Sequence, residues 1–131
     1  MQRRTYMKAM LAGAGSTAMK GAKGDQGIRL FCDLAVDPAK EKEMLHNFHS
    51  TFRPAASKQP GYIDVKMLKL RTAIQGGAPA AGNYRFELSF ESEELRQKWI
   101  ASAVHAKVWP LIENTLTSKN YTVLLYDVTQ G

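Results

Sequence analysis

His105 is the side chain whose ordinary pKa suits proton transfer near neutrality, and it stands among large aromatics. The run is Trp99-Ile100-Ala101-Ser102-Ala103-Val104-His105, with Trp109-Pro110 close behind. Read as one helix at about 100° per residue, Ser102, His105 and Trp109 share about a third of the circumference. Leu95, Trp99, Ala106 and Ile112 adjoin them, which makes this the sheet-facing side. A base, a hydroxyl and two flat rings on one side could line a pocket for an aromatic small molecule. The bland alternative is that both tryptophans pack the core and His105 is a structural residue at its border.

Other chemistry is poorly supplied. His46 and His49 are neighbours on one helix face, but Arg53 follows four residues after His49 and no acid completes a ligand set. No metal site is predicted. Cys32 is the sole cysteine, which excludes an internal disulfide and reads as a buried, inert thiol. Asp33 could be a buried base, although an exposed or arginine-paired aspartate is the more ordinary reading. Arg53 and Arg85 could hold an anionic ligand, with surface ion pairs as the default. Gly76-Gly77 and Gly82 lack the strand-to-helix setting and lysine of a phosphate loop.

The elements that must position these residues follow from periodicity. Ile28, Leu30, Cys32, Leu34 and Val36 alternate with Arg29, Phe31, Asp33 and Ala35, a half-buried strand. Asp37-Pro38 supplies an N-cap and a first-turn proline. Met44, Leu45, Phe48 and Phe52 then recur at helical steps until Arg53-Pro54 disturbs the pattern. Gln59-Pro60-Gly61 leads into a strand over 62–72, with Ile63, Val65 and Met67 on one face. A Gly/Ala/Pro loop over 76–82 joins it, as a hairpin, to the alternating strand over 84–91. Ser92-Glu93-Glu94 starts a helix predicted to run to about Leu116 with a disturbance at Pro110, and 121–128 is the last strand.

The order βαββαβ is the ferredoxin-like arrangement of the α+β class: a four-stranded antiparallel sheet with two helices on one face. Tyr84, Phe86, Leu88 and Phe90 share one side, while the last strand carries apolar residues on both. A second apolar face needs a cover, and a second copy of the chain is the simplest, so a homodimer through the sheet face is predicted.

Composition bounds the rest. The chain has 131 residues, enough for one domain, with 44% hydrophobic and 23% charged residues. Its net charge of +6 is concentrated in a leader, residues 1–27, which holds five basic residues against Asp25. Residues 28–131 keep 13 basic and 11 acidic residues, too balanced and interspersed for a nucleic-acid surface. The leader resembles a twin-arginine export signal: Arg3-Arg4, then Tyr6, Met7 and Lys8, an Ala/Gly-rich stretch, and small residues at Ser16-Thr17-Ala18. Export to the periplasm competes with a retained, disordered or partner-docked basic arm on a cytoplasmic protein. The stretch is too short for a membrane span.

The run Gln59-Pro60-Gly61-Tyr62, the strand ending Phe90-Glu91-Ser92, and Trp99-x-x-Ser102-x-x-His105 resemble the antibiotic biosynthesis monooxygenase domain, over about residues 28–129. The resemblance implies a dimeric α+β barrel, and a family in which several members oxidise quinols or polycyclic phenols with neither metal nor flavin. On that reading no cofactor is expected. His105 would deprotonate a phenol or quinol, whose anion gives an electron to O₂ far more readily. Ser102 would hydrogen-bond a substrate oxygen, Trp99 and Trp109 would flank the flat ring, and His49, Phe52 and Phe86 would also line the substrate. Heme-degrading relatives use an asparagine on the first strand and a histidine ten residues after the tryptophan. Here the first strand has no asparagine and Trp109 occupies the second place. The alternative of another class is a non-catalytic dimer, binding a hydrophobic small molecule or serving in a stress response. An open cavity between the second helix and the sheet would separate the two, and one below a few hundred Å³ could not admit a bicyclic substrate.

Overall fold

In the computed structural model, residues 27–78 and 82–129 are described. Strand β1 is Ile28–Leu34, β2 is Tyr62–Lys69, β3 is Tyr84–Phe90 and β4 is Thr122–Asp127. They form one four-stranded antiparallel sheet in the order β2-β3-β1-β4. This is the expected ferredoxin-like α+β arrangement. Strands β1 and β3 pair with Leu30 opposite Leu88 and Cys32 opposite Phe86, so their apolar positions share one face. The helices cover that face.

The first helical stretch begins as the strong cap predicts. Asp37 accepts a hydrogen bond from the Ala39 N–H at 2.9 Å, and Pro38–Lys40 makes a tight turn before α1, Glu41–Asn47. Phe48–Phe52 then widens into a π-turn, in which the Arg53 N–H reaches back five residues to the Phe48 carbonyl. The cause is Pro54: it has no N–H for the carbonyl four residues earlier, and its ring crowds that carbonyl. Helix α2, Arg53–Ala56, follows. Met44, Phe48 and Phe52 are buried as predicted. Phe52 lies edge-on to Phe86, Trp99 and Trp109 at 5.4, 5.9 and 5.8 Å.

Three boundaries differ from the periodicity. Strand β2 ends at Lys69, and a bulge at Ile63 shifts its phase. Tyr62 therefore joins Val65 and Met67 against the core, while Ile63 does not. The helix after Ser92 is not continuous: α3 spans Glu93–Ile100, α4 Ala103–Val108 and α5 Pro110–Glu113. Val36 leaves the first strand and bridges to Leu116, held by both ends of the Asn83 amide at 2.8 and 2.9 Å.

Gly61 has φ +88°, a conformation that disfavours any side chain, and a Cβ there would come within 2.6 Å of Leu95. This glycine lets α3 sit down on the end of β2.

The face away from the helices is mixed, where alternation predicts an apolar one. Asp33 and Arg85, opposite one another in the ladder, form a two-pronged pair at 2.8 and 3.2 Å. Arg29 meets Glu87 at 3.6 Å, and Phe31 packs edge-on against Tyr126. Outward positions of β1 and β3 are thus mostly charged and satisfied across strands. Apolar exposure gathers instead on edge strand β4, where all six positions are exposed. The leader read as an export signal lies, through residue 26, outside the described residues.

Candidate active site

Helix α3 starts on the Ser92 hydroxyl, which accepts the Leu95 N–H at 3.2 Å. Its first turn carries Glu93, whose carboxylate takes two hydrogen bonds from Arg96 at 2.6 and 2.7 Å. That guanidinium holds the Glu93 carboxyl down at about 2. Arg96 is the better-buried partner, its side chain 16% exposed against 35% for Glu93. Three residues on, Trp99 is buried against Phe52.

Ser102 makes the break that periodicity does not show. Its backbone is extended, its hydroxyl donates to the Trp99 carbonyl at 2.7 Å, and the same oxygen accepts the His105 N–H at 3.1 Å. One serine therefore ends α3 and caps α4. The corner swings His105 over the Trp99 ring, edge to face at 5.0 Å, while one turn later Trp109 lies nearly parallel to His105 at 6.3 Å. Among the described residues, the imidazole nitrogens take no protein hydrogen bond. Burial pushes the His105 pKa below 6.5, the Arg96 charge adds to this, and Glu113 opposes it. The ring is thus neutral at pH 7 and able to accept a proton.

Trp109 is fixed from its other side. Its indole N–H donates to the Tyr121 hydroxyl at 3.1 Å, and that hydroxyl donates to Glu113 at 2.9 Å. Burial, aided by the bond to Glu113, raises the Tyr121 phenol to about 12. Its proton is therefore committed to Glu113.

Between these groups and the sheet lies a cavity of about 140 Å³. Apolar walls come from Leu30, Cys32, Phe52, Phe86, Leu88, Trp99, Ile100, Trp109 and Val123, and polar ones from Arg96, His105 and Tyr121. The Cys32 thiol is pushed up to about 12, chiefly by burial, which leaves it inert as a nucleophile.

Of the residues singled out in sequence, His105, Trp99, Trp109, Phe52 and Phe86 meet at this cavity. Ser102 adjoins it as the cap beneath His105 and is not a wall. His49 is exposed, edge-on to Phe48 at 5.1 Å, and does not line the cavity. Arg96 and Tyr121 were not read from sequence. Arg96 sits three residues before Trp99 on the same helix, a spacing that could have revealed it. Tyr121 reaches Trp109 only through the fold. A wider cleft of about 350 Å³ borders Asp33, Lys69, Arg71 and Arg85, but it has no imidazole, and Lys69 and Arg85 are engaged by Glu41 and Asp33. Among the described residues no cluster of three metal-ligating side chains occurs, and no helix is long and apolar enough to cross a membrane.

No protein-family model matches the chain, and no curated relative matches it. Solved structures do. A proposed antibiotic biosynthesis monooxygenase from Caulobacter crescentus CB15 superposes with TM-score 0.65 at 17% identity, over 80% of this chain and 92% of that one. SnoaB, a cofactor-independent oxygenase from Streptomyces nogalater, gives 0.61 at 14%, over 81% and 96%. The heme-degrader MhuD from Mycobacterium tuberculosis, solved with two hemes bound, gives 0.60 at 17%, over 79% and 97%. The fold is that of antibiotic biosynthesis monooxygenase-domain proteins.

Proposed function

We propose that the chain is a cofactor-independent monooxygenase acting on a phenol or quinol, with His105 as the base. The observation that carries this is a neutral, unpartnered imidazole set between two tryptophans on the wall of an apolar cavity. The substrate proton passes to His105. The phenolate then gives one electron to O₂, the ring radical and superoxide couple at a ring carbon to a peroxide anion, His105 returns the proton to it, and loss of water with the hydrogen of that carbon leaves a quinone. One oxygen atom ends in the product and the other in water, so no outside reductant is needed. Trp99 and Trp109 hold the ring flat and dry, and Ser102 fixes the imidazole through its backbone.

Volume narrows the substrate. A cavity of about 150 Å³ admits benzene, so the 140 Å³ here suits a single ring. A naphthohydroquinone or a heme exceeds this volume and would have to extend through the open side of the cavity; Trp109 also fills the place where a heme-degrading relative would carry histidine. SnoaB, similar in fold, supports oxygenation without a cofactor as a chemistry this architecture can run.

The test is oxygen uptake with single-ring hydroquinones and phenols, read with isotopically labelled O₂. The product gains one oxygen and loses two hydrogens, and His105→Ala slows turnover by about 100-fold or more. Equal rates in His105→Ala and parent overturn the role of the base. Absence of oxygen uptake across the series supports the non-catalytic binding dimer.

Two further parts of the reading are tested separately. A second copy would cover β4 and its exposed Val123, Leu124, Leu125 and Tyr126, and a stable monomer in sedimentation at micromolar concentration counts against it. The leader would direct export, and a mature chain from the native host that begins at Met1 removes that idea.

A further inference from the structure

We propose that the cavity takes its phenol as the phenolate anion, with Arg96 as the residue that selects the ionised form. The inference rests on the reading of the site as a phenol pocket, and it concerns charge rather than oxidation. Arg96 is the only cation among the residues that line the cavity. Its Nε and Nη2 are tied to Glu93, which leaves the Nη1 edge without a protein partner among the described residues. The pair is oriented: its cationic member is the better buried and reaches the cavity wall, while its anionic member is the more exposed and does not. The cavity thus sees the positive end of the pair. In apolar surroundings an oriented charge acts strongly on a ligand oxygen.

The other polar groups do not compete for this role. Tyr121 gives its hydrogen to Glu113 and receives that of Trp109, so it has no proton left for a ligand. His105, when it takes the substrate proton, becomes a second cation beside the same oxygen. The Arg96 charge already registers on two walls of the cavity: it works against protonation of His105 and favours the thiolate of Cys32, in both cases behind burial as the larger cause. Glu113 acts on His105 in the opposite sense, but its carboxylate is engaged by Tyr121.

para-Nitrophenol is the probe, because it is a single ring whose neutral and ionised forms absorb at different wavelengths. Titrated into the full chain, it binds with its ionised-to-neutral ratio raised about tenfold over free ligand at the same pH, the low end for a nearby opposite charge. Arg96→Met brings the ratio down, well below the parent's. Glu93→Gln, which removes the opposing carboxylate, raises it above the parent. The opposite signs separate an electrostatic effect from general damage, and should Arg96→Met fail to fold, Glu93→Gln decides alone. Bound ligand that stays neutral, an unchanged ratio in Glu93→Gln, or no saturable binding overturns the proposal. Oxygen uptake is not part of the readout, so a phenolate-binding pocket without oxygenase activity, or the reverse, is recognised as such.

Discussion

Two tyrosines in this fold each donate a hydrogen bond to a glutamate, and only one of them helps make a site. Tyr84 gives its proton to Glu41 at 2.6 Å, and Tyr121 gives its proton to Glu113 at 2.9 Å. Both phenols are raised to about 12, by burial first and the carboxylate second. The difference is what lies beside them. Tyr84 is on β3, an interior strand with neighbours on both sides, and its ring is buried. Tyr121 leads into β4, the exposed edge strand, and borders the cavity. A hydrogen-bonded pair beside a cleft whose charges are already matched, where Tyr84 meets Lys69 and Arg85, is structure. The same pair beside thinly covered strand leaves room that a ligand can use.

The sharpest way to probe that contrast is to remove a wall of the cavity that is also part of the core. Trp99 packs on the core and lines the cavity, so Trp99→Ala should cost about 3–5 kcal/mol of unfolding free energy in denaturant titration. Trp109 is only partly buried and borders the open volume, so Trp109→Ala should cost clearly less. Equal losses would mean that Trp109 is packed as tightly as Trp99 and that the cavity side is not thinly covered.

Next in size is the closure beside Tyr84. Asn83 holds both the N–H and the carbonyl of Val36, so Asn83→Ala should cost about 1–2 kcal/mol. It should leave phenol binding unchanged. Tyr121→Phe should do the reverse, costing less stability but altering Trp109 fluorescence and ligand affinity, because Trp109 and Glu113 both lose their shared partner. A binding defect in Asn83→Ala would show that the two regions are coupled.

These pairs also mark how far the sequence could be read. The strands, the Asp37 and Ser92 caps, and the grouping of His105 with two tryptophans were legible, because each depends on neighbours within a few residues. The break at Ser102 was not. A capping box announces itself by an acid or amide three residues after the hydroxyl, and here that place holds His105. Ile63 and the π-turn were hidden for a similar reason: an added residue or a widened turn resets the phase that periodicity assumes. Tyr121 was missed because its contact with Trp109 exists only once β4 is laid beside β1. The outer face is less apolar than the alternation of β4 predicts, because Arg29, Asp33, Arg85 and Glu87 pair across β1 and β3.

A smaller effect compares the two serine caps of this helical arm. Ser92→Ala and Ser102→Ala each remove one cap and should each cost about 1 kcal/mol. Only Ser102→Ala should also weaken phenol binding, because the corner that sets His105 over Trp99 loses its hydroxyl. If both variants bind ligand like the parent, the corner is held by packing alone.

The smallest expected effect is a pH dependence that belongs to one side of the molecule. The folded state holds His105 below its ordinary 6.5, mainly by burial, so near that pH the unfolded chain binds a proton that the native chain lacks. Stability is therefore level above about pH 6.5 and declines as pH falls through the window down to the folded-state pKa. Glu93, held at about 2, adds its own loss only below its ordinary 4.5. Thermal unfolding of the parent between about pH 7.5 and about pH 5 should show the first decline, and His105→Gln should abolish it. Tyr84→Phe should leave it intact, since Tyr84 titrates far above that range. A decline of the same size in His105→Gln would place the responsible proton elsewhere and remove the physical basis for a neutral, poised imidazole in the cavity wall.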